Sequence, residues 1–117
     1  MKYTDSHEWA LWEGDEVTIG ITEFAKKELK DLCHLEFPKV GARLKQGEEA
    51  VIAESTKAAS DIYAPLGGEV SAVNERLKKD PSLLCTEKDV WLFRIKDASL
   101  DEYAALLSAE EYTQLTG

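Results

Sequence analysis

The run Glu54-Ser55-Thr56-Lys57-Ala58-Ala59-Ser60-Asp61 sits between two β-prone segments. Ala50-Val51-Ile52-Ala53 precedes it, and Ile62-Tyr63-Ala64 follows it, stopped by Pro65 and the pair Gly67-Gly68. Two apolar runs around a small polar link predict a hairpin with Lys57 at its tip. Ser, Thr and Ala on either side leave that lysine sterically open to a large enzyme. A lysine in an arbitrary turn is ordinarily just solvated, so the weight of this one depends on the rest of the pattern.

Working outward, Gly68–Val73 alternates as a further strand, and Glu49–Ser55 leads into the tip. Two glycines six residues apart, Gly41 and Gly47, bracket a short strand near Arg43-Leu44. Leu32–Phe37 reads as a strand closed by Pro38. Further upstream, residues 8–12 and Glu16–Ile21 form a hairpin around Glu13-Gly14-Asp15. Thr22 then caps a short helix carrying Phe24, Ala25, Leu29 and Leu32 and ending near Asp31. Downstream, Asn74–Lys79 reads as one helical turn broken at Asp80-Pro81, Leu83-Leu84-Cys85 is ambiguous, and Val90–Ile95 is a strand rich in aromatic and β-branched residues. Ser99 caps an amphipathic helix with Leu100, Tyr103, Ala104, Leu106 and Leu107 on its apolar side, and Ser108 opens a second. About eight short strands between Gly and Pro turns imply a mainly β sandwich or barrel with helices at its edges and C-terminus. Trp9, Trp12 and Trp91 read as core aromatics.

The 117 residues suit one domain over 1–117, and 44% hydrophobic with 32% charged residues is a soluble, folded composition. The formal charge of −9 argues against nucleic acid or an anionic membrane as partner. Met1–Ser6 has the features of neither a signal nor a transit peptide, and no apolar run approaches membrane-spanning length. Cys33 and Cys85, like His7 and His34, are isolated and match no metal-ligand spacing, so idle thiols in a reducing cytoplasm are expected. His7 reads as a surface residue, and Glu8 and Asp61, taken alone, as solvated carboxylates.

Enzyme chemistry finds no support. Ser55 and Ser60 lack a nucleophile elbow, Cys33 and His34 are strand neighbours on opposite faces, and no glycine-rich phosphate loop is present. No catalytic or metal-ligating residue is assigned. A group carrier asks for less: a flexible arm on a rigid support, with an acylatable amine at its end. The Lys57 turn meets that need, although physics alone does not choose the attached group.

The segments ESTKAASDIYAP (54–65) and GGEVSAVNERL (67–77) resemble the lipoyl-lysine region of glycine cleavage system H proteins. SHEW (6–9), VTIGITEFAKKEL (17–29) and LSAEEY (107–112) are similar to that family's opening hairpin, first helix and C-terminal helix, so the likeness runs nearly end to end. The resemblance implies a barrel-sandwich hybrid, lipoyl/biotinyl-domain-like, with a short helix in the N-terminal half and helices at the C-terminus. It implies lipoate in amide linkage to Lys57 and a carrier that is not itself an enzyme. The arm would take an aminomethyl group from glycine at a pyridoxal-phosphate glycine decarboxylase and yield the one-carbon unit to a folate-dependent aminomethyltransferase. A flavin dihydrolipoyl dehydrogenase would then reoxidise it. By motif match, Ser6, Glu8 and Asp61 would dock the charged arm, and Glu54 would identify the target lysine to a lipoate ligase or lipoyltransferase. A cytoplasmic monomer is expected.

The chain departs from the family pattern at several places. Lys30 stands where a helix-ending glycine is usual, Cys33-His34 where simpler apolar residues are common, and Thr56 where valine is frequent; Cys85–Val90 is short and lacks glycine. Other roles consistent with the same hairpin are an H-like lipoyl relay to 2-oxoacid dehydrogenases or another redox partner, a biotin carrier, and a module with no prosthetic group. Biotin carriers typically flank their lysine with methionines, whereas Thr56 and Ala58 flank Lys57.

Overall fold

The computed structural model describes residues 1–29 and 31–117. The expected glycine departure at Lys30 lies outside the described residues. The elements in chain order are β1 (Lys2–Tyr3), β2 (Glu8–Glu13), β3 (Glu16–Ile21), α1 (Glu23–Glu28), β4 (Leu32–Glu36), β5 (Arg43–Leu44), β6 (Glu49–Ser55), β7 (Ala59–Tyr63) and β8 (Gly68–Val73). They continue with α2 (Glu75–Lys79), α3 (Leu83–Thr86), β9 (Trp91–Lys96), α4 (Leu100–Ala104) and α5 (Ala109–Thr116). A six-stranded sheet runs β1-β2-β3-β9-β8-β5, and a three-stranded sheet runs β4-β6-β7. All pairings are antiparallel.

The mainly β expectation holds, and alternation explains it. Val17 and Ile19 on β3, Val70 on β8, and Phe93 and Ile95 on β9 are fully buried and share one core cluster with the small sheet's Leu35, Val51, Ala53 and Ile62, while Leu92, on the opposite face of β9, is buried as well. Each large side chain so buried contributes about 1.5–3 kcal/mol of transfer free energy. Capping fixes the helices: Thr22, Asn74, Ser99 and Ser108 each accept a backbone N–H with the side chain, and Ser108 with Glu111 completes a capping box.

Several expectations need correction. Helix α1 stops at Glu28 with Leu29 as its cap, and Leu32 belongs to β4. Leu83–Thr86 is a helical turn. Leu100 is 67% exposed, because α4 lasts only five residues and turns Tyr103, not Leu100, toward the sheet. Of the three tryptophans only Trp9 is buried; Trp12 packs edge-on against Tyr103, and Trp91 lies half-exposed under the Arg94 guanidinium, 4.1 Å from its ring.

Strand β1 has no strong signal in its sequence. It is held at both edges, by β2 and by a bridge in which Tyr3 and Leu107 exchange both backbone hydrogen bonds at 2.8 Å. The C-terminal helix is tied to the same corner. Tyr112 stacks on Tyr3, and its hydroxyl lies 2.7 Å from both His7 Nδ1 and Thr22 Oγ1. Burial pushes the Tyr112 phenol up, only partly offset by the Thr22 hydrogen bond, so it keeps its proton at neutral pH. His7 is therefore not a free surface residue. It is half-buried, has a positive φ of 74°, and packs on Phe24 with ring centroids 4.2 Å apart.

Candidate functional site

The predicted hairpin is present, with β6 and β7 joined by Thr56, Lys57 and Ala58. Ser55 organises the tip. Its hydroxyl accepts from the backbone N–H of Lys57 (3.3 Å) and Ala58 (3.1 Å) and lies 3.1 Å from the Ala58 carbonyl, while the Ser55 N–H donates to that carbonyl at 2.8 Å. This side-chain turn fixes the backbone without any bulky residue. Lys57 is exposed, and no ion pair among the described residues includes it. Its amine is thus free to be acylated, on a stem held by two strands of the small sheet.

Ser6 and Glu8 are brought together, and Glu8 is far from solvated. At 2% exposure its carboxylate lies beneath the β1–β2 turn. Oε1 accepts from the Thr4 hydroxyl at 2.6 Å and the Ser6 hydroxyl at 2.7 Å, and Oε2 faces the Tyr63 N–H at 3.4 Å. No lysine or arginine among the described residues pairs with it. A carboxylate held by neutral donors in a shielded place is a receptor for a cation. It lines a cleft of about 520 Å³ whose walls include Ser6, Gln46, Tyr63 and Leu107.

Asp61 is not part of that cleft. It is exposed on β7 opposite Ile52, two residues from the cleft residue Tyr63 and on the side of the strand away from buried Ile62. Along β7 it lies between the Lys57 tip and the cleft residue Tyr63. Glu54 is half-buried on β6, paired with His34 on β4 and Ala59 on β7. Thr4 and Tyr63 were missed from sequence, since each acts on Glu8 through a contact set by strand register. A hydroxyl four residues before Glu8 was the only local hint.

The family model described as Glycine cleavage H-protein matches residues 1–117. A glycine cleavage system H protein of Pseudoalteromonas translucida is 50% identical over 115 residues, 96% of this chain and 89% of that protein. One of Ralstonia nicotianae is 48% identical over 119 residues, 100% of this chain and 94% of that protein. Among solved structures, the crystal structure of a glycine cleavage system H protein from Mycobacterium marinum matches with a TM-score of 0.85 at 34% identity, covering 99% of this chain and 95% of that chain. Two antiparallel sheets in this arrangement, holding out a free lysine, are a barrel-sandwich of the group-carrier class. The chain belongs to the glycine cleavage H-protein family.

Proposed function

We propose that Lys57 is the lipoyl attachment residue and that the Ser6–Glu8 cleft receives the loaded end of the arm. As a member of its family the chain is the H protein of the glycine cleavage system, a lipoyl carrier rather than an enzyme in its own right. The residues fit such a group: the Lys57 amine is exposed and unpaired, and the turn beneath it is pinned by Ser55. When bound, lipoate supplies a disulfide that takes up electrons and the aminomethyl group of glycine. The chain's own part is positional. Lys57 presents the tether, Asp61 offers a carboxylate along the way, and Glu8 accepts a cationic end while the cleft walls limit access of water.

The observation that carries this reading is the pairing of an exposed amine at a stiff tip with a buried carboxylate that has no cation partner among the described residues. Glycine decarboxylase, aminomethyltransferase and dihydrolipoyl dehydrogenase are its working partners, and Glu54, three residues before Lys57, marks the target for a lipoate ligase or lipoyltransferase. The chain acts as one lipoyl-bearing domain, residues 1–117, in the cytoplasm and as a monomer. Free Cys33 and Cys85 are in keeping with a reducing compartment, and a charge of −9 keeps copies apart. No helix among the described residues is long and apolar enough to cross a membrane.

Mass spectrometry of the protein isolated from its own cells tests the assignment. A lipoyl adduct on the peptide containing Lys57, absent in Lys57→Arg, is expected. An unmodified Lys57, or an adduct on another lysine, would overturn it.

A further inference from the structure

The outer face of the small sheet carries a cluster of which the carrier role draws only on Glu54. His34 and Glu36 are two residues apart on β4 and so project from the same face, opposite to buried Leu35. Glu54 on β6 is the direct cross-strand partner of His34. One ligand atom from each of the three, an imidazole nitrogen and two carboxylate oxygens, lies within 4.8 Å of the others. Among the described residues, no lysine or arginine forms an ion pair with Glu36 or Glu54. Two carboxylates left so close repel one another across the strands, and a shared cation removes that cost.

We propose that His34, Glu36 and Glu54 form a site for a divalent transition-metal ion of the zinc type, with water completing its shell. Zinc binds imidazole nitrogen and carboxylate oxygen at about 2.0–2.2 Å, which sets neighbouring ligand atoms roughly 3–4 Å apart. Rotation of the exposed His34 and Glu36 side chains closes the difference from the present spacing without moving the strands. The backbone under them is fixed by the β4–β6 ladder and by Leu35, Val51 and Ala53, all buried below. Beside Glu36 an open hollow bordered by Phe37, Glu49, Ala50 and Ile52 leaves room for the waters. The imidazole sets the selectivity: it suits zinc, nickel and copper, whereas magnesium and calcium take oxygen ligands. Sequence spacing did not disclose the site, because its third ligand comes from a strand 18 residues further on than Glu36. The site needs no group on Lys57 for its ligands, but it shares Glu54 with the recognition role proposed for lipoylation.

Zinc chloride titrated into the full-length protein, with any dithiol kept oxidised, should give saturable binding of one equivalent by calorimetry. Nickel used as a paramagnetic probe should broaden backbone amide signals centred on residues 34, 36 and 54. His34→Ala and Glu36→Gln, both surface changes, should each weaken zinc binding at least about tenfold, since even the loss of supporting partners costs 10–100-fold at metal sites. Their thermal midpoints without metal should stay near that of the parent. Cys33→Ser should bind as the parent does, and excess magnesium should not displace the zinc. The proposal is overturned by absence of saturable zinc binding, by affinity unchanged in both His34→Ala and Glu36→Gln, by binding lost in Cys33→Ser, or by broadening centred elsewhere.

Discussion

Gly20→Ala should destabilise the fold by about 1–3 kcal/mol, the usual cost of adding a methyl group to a filled core. Gly20 on β3 pairs directly with Trp9 on β2, and the indole lies across the bare α-carbon. A methyl group built there would stand 2.4 Å from Cζ2, 2.5 Å from Cε2 and 2.8 Å from Nε1 of Trp9. None of these is the tip of a flexible chain, so the whole ring must tilt. Trp9 borders a hollow of about 240 Å³ shared with Met1, Tyr3, Ile21 and Tyr112, which gives the ring somewhere to go and keeps the cost from running higher. With a urea m-value of about 2 kcal/mol/M, the expected midpoint shift is on the order of 1 M. A thermal midpoint lower by about 4 °C per kcal/mol should accompany it.

Urea melts followed by circular dichroism and by tryptophan emission measure both the cost and the displaced ring. A cycle with Trp9→Leu identifies the clash, because removing the indole should recover much of the loss and give a coupling of about 1 kcal/mol or more. Two results would refute the reasoning. One is a Gly20→Ala midpoint within about 0.5 kcal/mol of the parent with unchanged emission. The other is simple additivity in the cycle, which would place the strain away from Trp9.

Glu8→Ala should leave the extent of Lys57 modification unchanged but lower occupancy of the cleft by a cationic arm about tenfold or more, the value of a hydrogen bond to a charged group. Hydrolysis of the loaded arm should speed up by a similar factor, and an unchanged rate would argue against docking at Glu8. Ser108→Ala should cost about 1 kcal/mol in chemical melts through loss of the α5 cap. Hydrogen bonds from Ser108, its backbone N–H first, hold the Glu111 carboxyl below its ordinary value. Its stabilising share is therefore present above about pH 4.3, the unperturbed glutamate value, and fades as pH falls through the lowered one. Glu111→Gln should lack that part of the acid slope in thermal midpoints taken from pH 6 to pH 3. Burial pushes the Cys85 thiol up, with Lys26 opposing it only in part, while Cys33 is exposed. Iodoacetamide at pH 8 should accordingly alkylate Cys33 first in timed peptide maps, and the reverse order would contradict the burial of Cys85.

Local chemistry made most of the elements legible. The β6–β7 hairpin, the Thr22 and Ser108 caps and the β2–β3 turn depend on residues adjacent in sequence, and each stands where alternation and capping place it. What escaped depends on distant partners. Lys2–Tyr3 is a strand only because β2 and Leu107 flank it, and His7 leaves the surface because Tyr112 arrives 105 residues later. Glu8 carries no sequence mark of burial; the roof over it is built by Thr4, Ser6 and Tyr63. Lys57 was legible because its neighbours are small and its turn is local. The His34–Glu36–Glu54 cluster was not, since register alone brings β4 and β6 together.

The clasp between Tyr3 and Leu107, with Tyr112 bolted to His7 and Thr22, sets an order on synthesis. A ribosome delivers the first strand long before its second edge exists, whereas the β6–β7 hairpin is whole once Tyr63 has emerged. Lys57 thus gains its native turn from nearby chain alone. The Glu8 roof of Thr4, Ser6 and Tyr63 needs only chain up to residue 63, but the clasp on β1 and the Leu106–Leu107 wall of the cleft wait for the last dozen residues, so a truncated nascent chain would display Lys57 beside an unfinished cleft.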